Sequence, residues 1–161
     1  MSFFSSRILN YPSNSAHVTK EQVHEAIQRA FEQYSNVTRL EFKELSVNAY
    51  ADINIHFTSW THGDGYPFDG PNGTVAHAYL PDSGHGGYNG DVHFDDSETF
   101  THDGDLGYNL YQVALHEIGH SLGLEHSWVY GAVMVPEYIG YDADFALTED
   151  DVRAMQLLYG K

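Results

Sequence analysis

The chain has no cysteine among its 161 residues, which excludes a disulfide framework, a thiolate metal site and a cysteine nucleophile. Basic residues are scarce: 7 Lys and Arg stand against 23 Asp and Glu, a formal net charge of −16. A phosphate backbone needs a positive footprint, so nucleic acid is not expected as a partner. Long apolar runs are missing too. Polar residues break each one within a few positions, so no segment is expected to span a bilayer. The opening MSFFSSRILNYP has a short apolar stretch and no cleavage-like region, so it does not read as a signal peptide. What remains is a globular composition, 42% apolar and 14% aromatic, at a length that fits one domain. The acids crowd into the middle of the chain, interleaved with histidine and glycine, where bound dications would offset them.

The hydrophobic periodicity predicts an amphipathic helix over Val18 to Tyr34. Val23, Ile27, Phe31 and Tyr34 recur at helical spacing, and Thr19 with Gln22 forms a capping box. Leu40 to Ser46 and Ala51 to Phe57 alternate apolar and polar residues, as half-buried strands do. His62 to Gly90 is rich in Gly, Asp, Asn and Pro and reads as loop, interrupted by strands at Thr74 to Tyr79 and then Asp91 to Asp95. Leu110 to Leu122 reads as a second helix stopped by Gly123. Glu125 to Ala146 looks irregular, and a last helix starts near Thr148 with Val152, Met155 and Leu158 or Tyr159 inward. Helix, then strands, then helices make an α+β domain.

The informative stretch is His116-Glu117-Ile118-Gly119-His120-Ser121-Leu122-Gly123-Leu124-Glu125-His126. Histidines four apart on a helix share one face, so both imidazoles can reach one ion. Glu117 is rotated by about 100° from His116, which suits a group beside a metal-activated water and not a ligand. A third ligand farther along a straight helix would lie too far down the axis. Gly123 tolerates the positive φ that turns the chain back, and His126 then returns. Three histidines leave a position open for water, the arrangement of a catalytic zinc site. The general base for peptide hydrolysis would be Glu117.

A second set lies in the glycine-rich segment. Asp91, His93 and Asp95 alternate with Val92 and Phe94, so one strand face carries potential ligands. With His62, Asp64 and His77 nearby, three imidazoles and a carboxylate suit a closed structural zinc site; ordinary exposed histidines are the alternative. His17, His24, His56, His85 and His102 read as surface or partly packed residues.

HEIGHSLGLEH carries the extended zinc motif of the metzincin endopeptidases. The chain resembles the matrix metalloproteinases among them. Met134, in Ala132-Val133-Met134-Val135-Pro136, matches their methionine turn in spacing and flanks, and Ser127 after the third histidine is a further matrixin-like detail. The segments HGDGYPFDGPNGTVAHAY and GDVHFDDSE resemble their structural-metal region. The absence of cysteine and the PFDG…AHAY segment disfavour an astacin-like or adamalysin-like enzyme, and Glu117 beside three histidines disfavours a metal-binding module without turnover.

The resemblance implies a twisted, mostly parallel five-stranded sheet with an antiparallel edge strand, two long helices, and a small C-terminal subdomain ending in a helix. An upper subdomain would cover about 1–126 and a lower one about 127–161. It assigns structural zinc to His62, Asp64, His77 and His93, and one calcium to Asp69, Asp95 and Glu98 with the carbonyls of Gly70, Asn72 and Thr74. A second calcium would use Asp52 and Asp91 with the carbonyls of Gly87 and Asn89. Oxygen ligands on Gly-rich loops fit calcium. Substrate would lie along Val75 and Ala76, with Gln112, Pro136 and Tyr138 around the pocket for the residue after the cut bond, which is expected to be apolar and leucine-like. The expected partners are peptide or protein substrates and proteinaceous inhibitors, for a monomer in the extracellular space. Two departures stand out: Pro81 to Asp91 is a few residues longer than the common vertebrate pattern, and Tyr34 and Phe100 replace usual tryptophans, a change expected to act on packing.

Overall fold

A computed structural model describes residues 2–13, 17–104 and 106–161. It builds one five-stranded sheet and three helices. The first strand, β1 (Ser2–Ile8), was not expected, because SFFSSRI shows no clean alternation of apolar and polar residues. It nevertheless sits inside the sheet, parallel to both β2 (Leu40–Glu44) and β3 (Ile53–Thr58). Pairing with two distant strands, and not its own pattern, makes it a strand. β3 runs parallel to β5 (Val92–Asp95), and β4 (Ala76–Ala78) closes the edge antiparallel to β5. The order is β2-β1-β3-β5-β4, the mixed sheet with one antiparallel edge that the sequence resemblance implies. Two further bridges, β6 (Phe100–Thr101) and β7 (Tyr108–Asn109), pair with each other and were not anticipated.

Helix α1 (Lys20–Val37) starts where the capping box predicts: the Thr19 hydroxyl accepts the Gln22 amide, and the Gln22 side chain accepts the Thr19 amide. Its buried stripe of Val23, Ile27, Phe31 and Tyr34 packs on α2 (Leu110–Ser121) and on the sheet. Each such fully buried side chain contributes about 1.5–3 kcal/mol. Helix α2 is buried on almost every side and is capped by Asn109, whose side chain accepts the Gln112 amide.

The last helix, α3 (Glu149–Tyr159), buries Met155 and, unexpectedly, Asp151. Leu158 is 54% exposed, so the inward residue at that end is Tyr159, whose hydroxyl donates to the Leu122 carbonyl at 2.8 Å. Among the described residues no helix is long and apolar enough to cross a membrane.

Candidate metal centre

The end of α2 folds as Gly123 requires. Gly123 takes φ +102°, a conformation costly for any residue with a Cβ. Its amide donates to the His120 carbonyl and the Leu124 amide to the Gly119 carbonyl, the paired bonds of a Schellman turn. The chain reverses there, and His126 comes back beside the helix. The His116, His120 and His126 rings end 4.7–5.4 Å apart, centroid to centroid. One ring nitrogen from each lies within 4.8 Å of the others.

Hydrogen bonding fixes which nitrogens face inward. His116 Nδ1 donates to the Val133 carbonyl at 2.8 Å, and His120 Nδ1 donates to the Leu124 carbonyl at 2.7 Å. With the proton on Nδ1, each neutral ring carries a lone pair on Nε2. Those two Nε2 atoms stand 3.1 Å apart. Two lone pairs facing each other are repulsive unless a cation lies between them, so this donor set fits a metal ion. Burial pushes His116 down to about 4 and also lowers His120, keeping both in the neutral, ligating form.

Glu117 lies on the adjacent face of α2, buried, and its Oε2 has no hydrogen-bond partner. Burial raises its carboxyl to about 8. A neighbouring dication reverses that tendency by favouring the carboxylate, a second reason the site fits a metal.

Beneath the histidines, Met134 is buried and its carbonyl accepts the Ser127 amide at 2.8 Å. Asp151 fastens this turn to α3. Its Oδ2 accepts the Val133 amide at 3.0 Å and the Thr148 amide and hydroxyl at 2.8 and 2.7 Å, and its Oδ1 accepts the Met134 amide at 3.3 Å. Tyr34 does more than the packing expected of it, since its hydroxyl donates to the Leu115 carbonyl at 2.7 Å inside the core. Asp151 did not stand out in the sequence, and Tyr34 did so only as a packing residue in place of a usual tryptophan. The Thr148-x-x-Asp151 spacing signals a cap, but nothing local signals that the same carboxylate holds the methionine turn.

The second group is equally convergent. Asp64 Oδ2 is 2.7 Å from His62 Nε2, 2.9 Å from His77 Nε2 and 2.9 Å from His93 Nδ1. His62 Nδ1 lies 2.8 Å from the Trp60 carbonyl oxygen, which turns its Nε2 toward the Asp64 carboxylate. Three imidazole nitrogens gathered on one carboxylate form a donor set that fits a metal ion. Burial and the neighbouring His77 push His93 down to about 4. Burial works against ionisation of Asp64, yet the Tyr66 amide and the Tyr79 hydroxyl hold its carboxyl well below the ordinary range. Tyr79 was not anticipated as a support for this group.

Around the loop after Phe68, Asp69 Oδ1 accepts the Thr74 amide at 2.8 Å and Glu98 Oε1 accepts the Gly73 amide at 3.1 Å. Asp95 is buried with Oδ2 unpartnered. Burial raises Glu98, and the charges of Asp95 and Asp69 add to the rise, so these acids lie close enough to repel one another. Asn72 takes a positive φ of 67° and Gly70 of 87° in the same turn. The remaining set is arranged differently. The Asp52 carboxylate accepts the Ser5 amide and hydroxyl at 2.8 and 2.6 Å, while Asp91 accepts the Asn54 amide and side chain at 3.0 and 2.8 Å. Asn89 Oδ1 accepts from Ser83 and His85, next to Gly87 in a short 3-10 turn over Gly86–Tyr88. These side chains therefore face protein donors. Of the other histidines described, none joins either histidine group; His24 instead lies 3.0 Å from Glu44.

Both the three histidines and Glu117 open into a cleft of about 1090 Å³, lined as well by Val75, Ala76, Gln112, Pro136 and Tyr138. Gln112 is buried, its amide nitrogen donating to the Gly140 carbonyl at 3.0 Å and its oxygen accepting the Asp142 amide at 2.8 Å. Tyr138 packs on Tyr108 and accepts the Asn109 amide.

The chain is 48% identical over 143 residues to the hatching enzyme of Paracentrotus lividus, covering 89% of this chain and 23% of that protein. It is 46% identical over 156 residues to matrix metalloproteinase-26 of Homo sapiens, covering 96% of this chain and 57% of that protein. Interstitial collagenase of Sus scrofa is 47% identical over 154 residues, covering 96% of this chain and 31% of that protein. The chain thus spans between about a quarter and somewhat over half the length of these relatives. The matrixin family profile matches residues 4–160. With the match running from the first strand to the end of the last helix, the chain belongs to the matrixin family of zinc metalloendopeptidases.

Proposed function

We propose that this chain hydrolyses peptide bonds in extended protein substrates, with zinc held by His116, His120 and His126 and with Glu117 as the general base. The observation that carries this reading is the pairing of inward Nε2 lone pairs with a buried, unpartnered carboxylate on the wall of one cleft. Bound there, zinc supplies Lewis acidity, polarising the scissile carbonyl and making water more acidic. Glu117 accepts the proton of the attacking water and returns it to the leaving amine. The Val133 and Leu124 carbonyls hold the His116 and His120 rings in their ligating tautomer.

Substrate binds as an added strand on β4. That strand is the sheet edge and lines the cleft, so its unpaired backbone groups can accept an antiparallel chain. The residue after the cut bond enters beside Gln112, Pro136 and Tyr138 and is apolar and leucine-sized. The cleft lies between an upper subdomain of about 1–126 and a lower one of about 127–161. A structural zinc sits at His62, Asp64, His77 and His93, and a calcium at Asp69, Asp95 and Glu98 with the Gly70, Asn72 and Thr74 carbonyls. The second calcium, at Asp52, Gly87, Asn89 and Asp91, is supported by family resemblance alone. Family membership also supports an extracellular site of action and regulation by proteinaceous inhibitors.

The test is Glu117→Ala. Zinc content, read by mass spectrometry, stays at the native value, while cleavage of a quenched peptide falls by about 10²–10⁴, the usual contribution of a general base. Turnover within tenfold of native at full zinc occupancy refutes the role.

A further inference from the structure

On the loop immediately after the third histidine, three large apolar side chains stand in solvent: Trp128 at 87%, Val129 at 51% and Tyr130 at 97% exposure. The loop is fastened. Ser127 Oγ donates to Asp150 Oδ2 at 2.7 Å and accepts the Val129 amide at 3.1 Å, and the Ala132 amide donates to the Val129 carbonyl at 3.1 Å. These bonds hold the backbone on either side of Trp128 and Tyr130, while the rings themselves stand in solvent. A single exposed aromatic is ordinary. Two rings on the wall of the cleft that holds His116, His120 and His126 are continuous with the binding surface proposed above.

Charge in the cleft narrows what these rings meet. Glu125 and Glu137 line it, both exposed, and no Lys or Arg does so among the described residues. The chain as a whole is at −16. An aromatic face attracts cations through its quadrupole, and a guanidinium or ammonium stacks there while its apolar stem covers ring surface. An anionic lipid surface would be repelled by this chain. A purely apolar side chain would be brought in beside two carboxylates that gain nothing from it.

We infer that Trp128 and Tyr130, with Glu125, form a specificity site for an arginine or lysine side chain of the substrate, apart from the pocket for the residue after the cut bond. This deepens the peptidase reading and depends on it.

The test uses the zinc-loaded chain and quenched peptides that share one cleavable core. At each position flanking the cut bond, other than the one entering the Gln112 pocket, the residue is Arg, Leu or Glu in turn. At one position the Arg peptide is expected to exceed the Leu peptide about fivefold to tenfold in kcat/KM, as one or two cation–aromatic contacts would produce. The ratio falls as salt is raised. It drops toward one in Trp128→Leu/Tyr130→Leu and survives in Trp128→Phe; reading a ratio cancels any general loss of activity or of folded protein. Equal cleavage of all three peptides at every position overturns the inference while leaving the peptidase reading intact. So does a preference for Leu at the responsive position, an arginine preference that survives the double leucine variant, or one that is insensitive to salt in the native chain. Failure to cut any peptide overturns both.

Discussion

Gly119 offers a sharp test of how α2 is seated. It stands between the first two histidines of the motif, and a Cβ built there would run into Met134 Sδ and lie 2.7 Å from Tyr34 Oη. Both neighbours are fully enclosed, with Tyr34 at 0% and Met134 at 2% exposure. Neither can yield cheaply. Gly119→Ala gains about 1 kcal/mol of helix propensity. Against this, overpacking costs about 1–3 kcal/mol, and displacing the Tyr34 hydroxyl from the Leu115 carbonyl costs about 1 kcal/mol more. The expected net loss is about 1–3 kcal/mol, or roughly 3–10 °C in Tm for a chain of this size. Tyr34→Phe alone should cost about 1 kcal/mol. The double variant should lose less than the sum, because the hydroxyl that meets the new methyl is gone; residues in contact usually couple by about 0.5–3 kcal/mol. Urea unfolding of the four proteins, with zinc and calcium concentrations held fixed, measures this cycle. Gly119→Ala at or above native stability, or strict additivity in the double variant, would show that the close approach described here is wrong.

Other outcomes follow from the same contacts. Asp151→Ala leaves the Val133, Thr148 and Met134 amides without their shared acceptor, and a loss of about 3 kcal/mol is expected by analogy with other buried charged acceptors; an unfolding midpoint unchanged from native would contradict this. His93→Ala should reduce zinc from two ions per chain to one by mass spectrometry and lower Tm in proportion to the binding lost, and retention of two ions would rule out the four-ligand set. Gln112→Leu removes both bonds to the 140–142 backbone, so peptide libraries should register a broader preference for the residue after the cut bond; an unchanged profile would mean that the loop is held by other contacts.

How far the sequence could be read depends on how local each signal is. The α1 cap was legible because Thr19 and Gln22 are three residues apart and bond each other. The histidine triad was legible for a similar reason: two ligands share a helix face and Gly123 supplies the turn that returns the third. The ligand face of β5 showed in its alternation; its partners His62, Asp64 and His77 come from a loop and the edge strand, so the residues alone left exposed histidines as an alternative and the resemblance chose between the two. By contrast, β1 carries a weak pattern and becomes a strand only between β2 and β3. Leu158 fits the helical stripe of α3 yet faces solvent, since Tyr159 reaches the end of α2 instead.

What the sequence determined by itself, then, is the chemistry of the site: which atoms can ligate, which carboxylate stands beside them, and that no thiol takes part. Spacing within a turn or two of helix suffices for that, because the backbone geometry over such a span is nearly invariant. Tertiary structure alone decided how the chemistry is held. The Tyr34 hydroxyl under Leu115, the Asp151 clamp on the methionine turn and the Gln112 tie to the loop at 140–142 join residues far apart in the chain. Long-range hydrogen bonds of this kind depend on how packed elements are placed, and no local pattern encodes that placement.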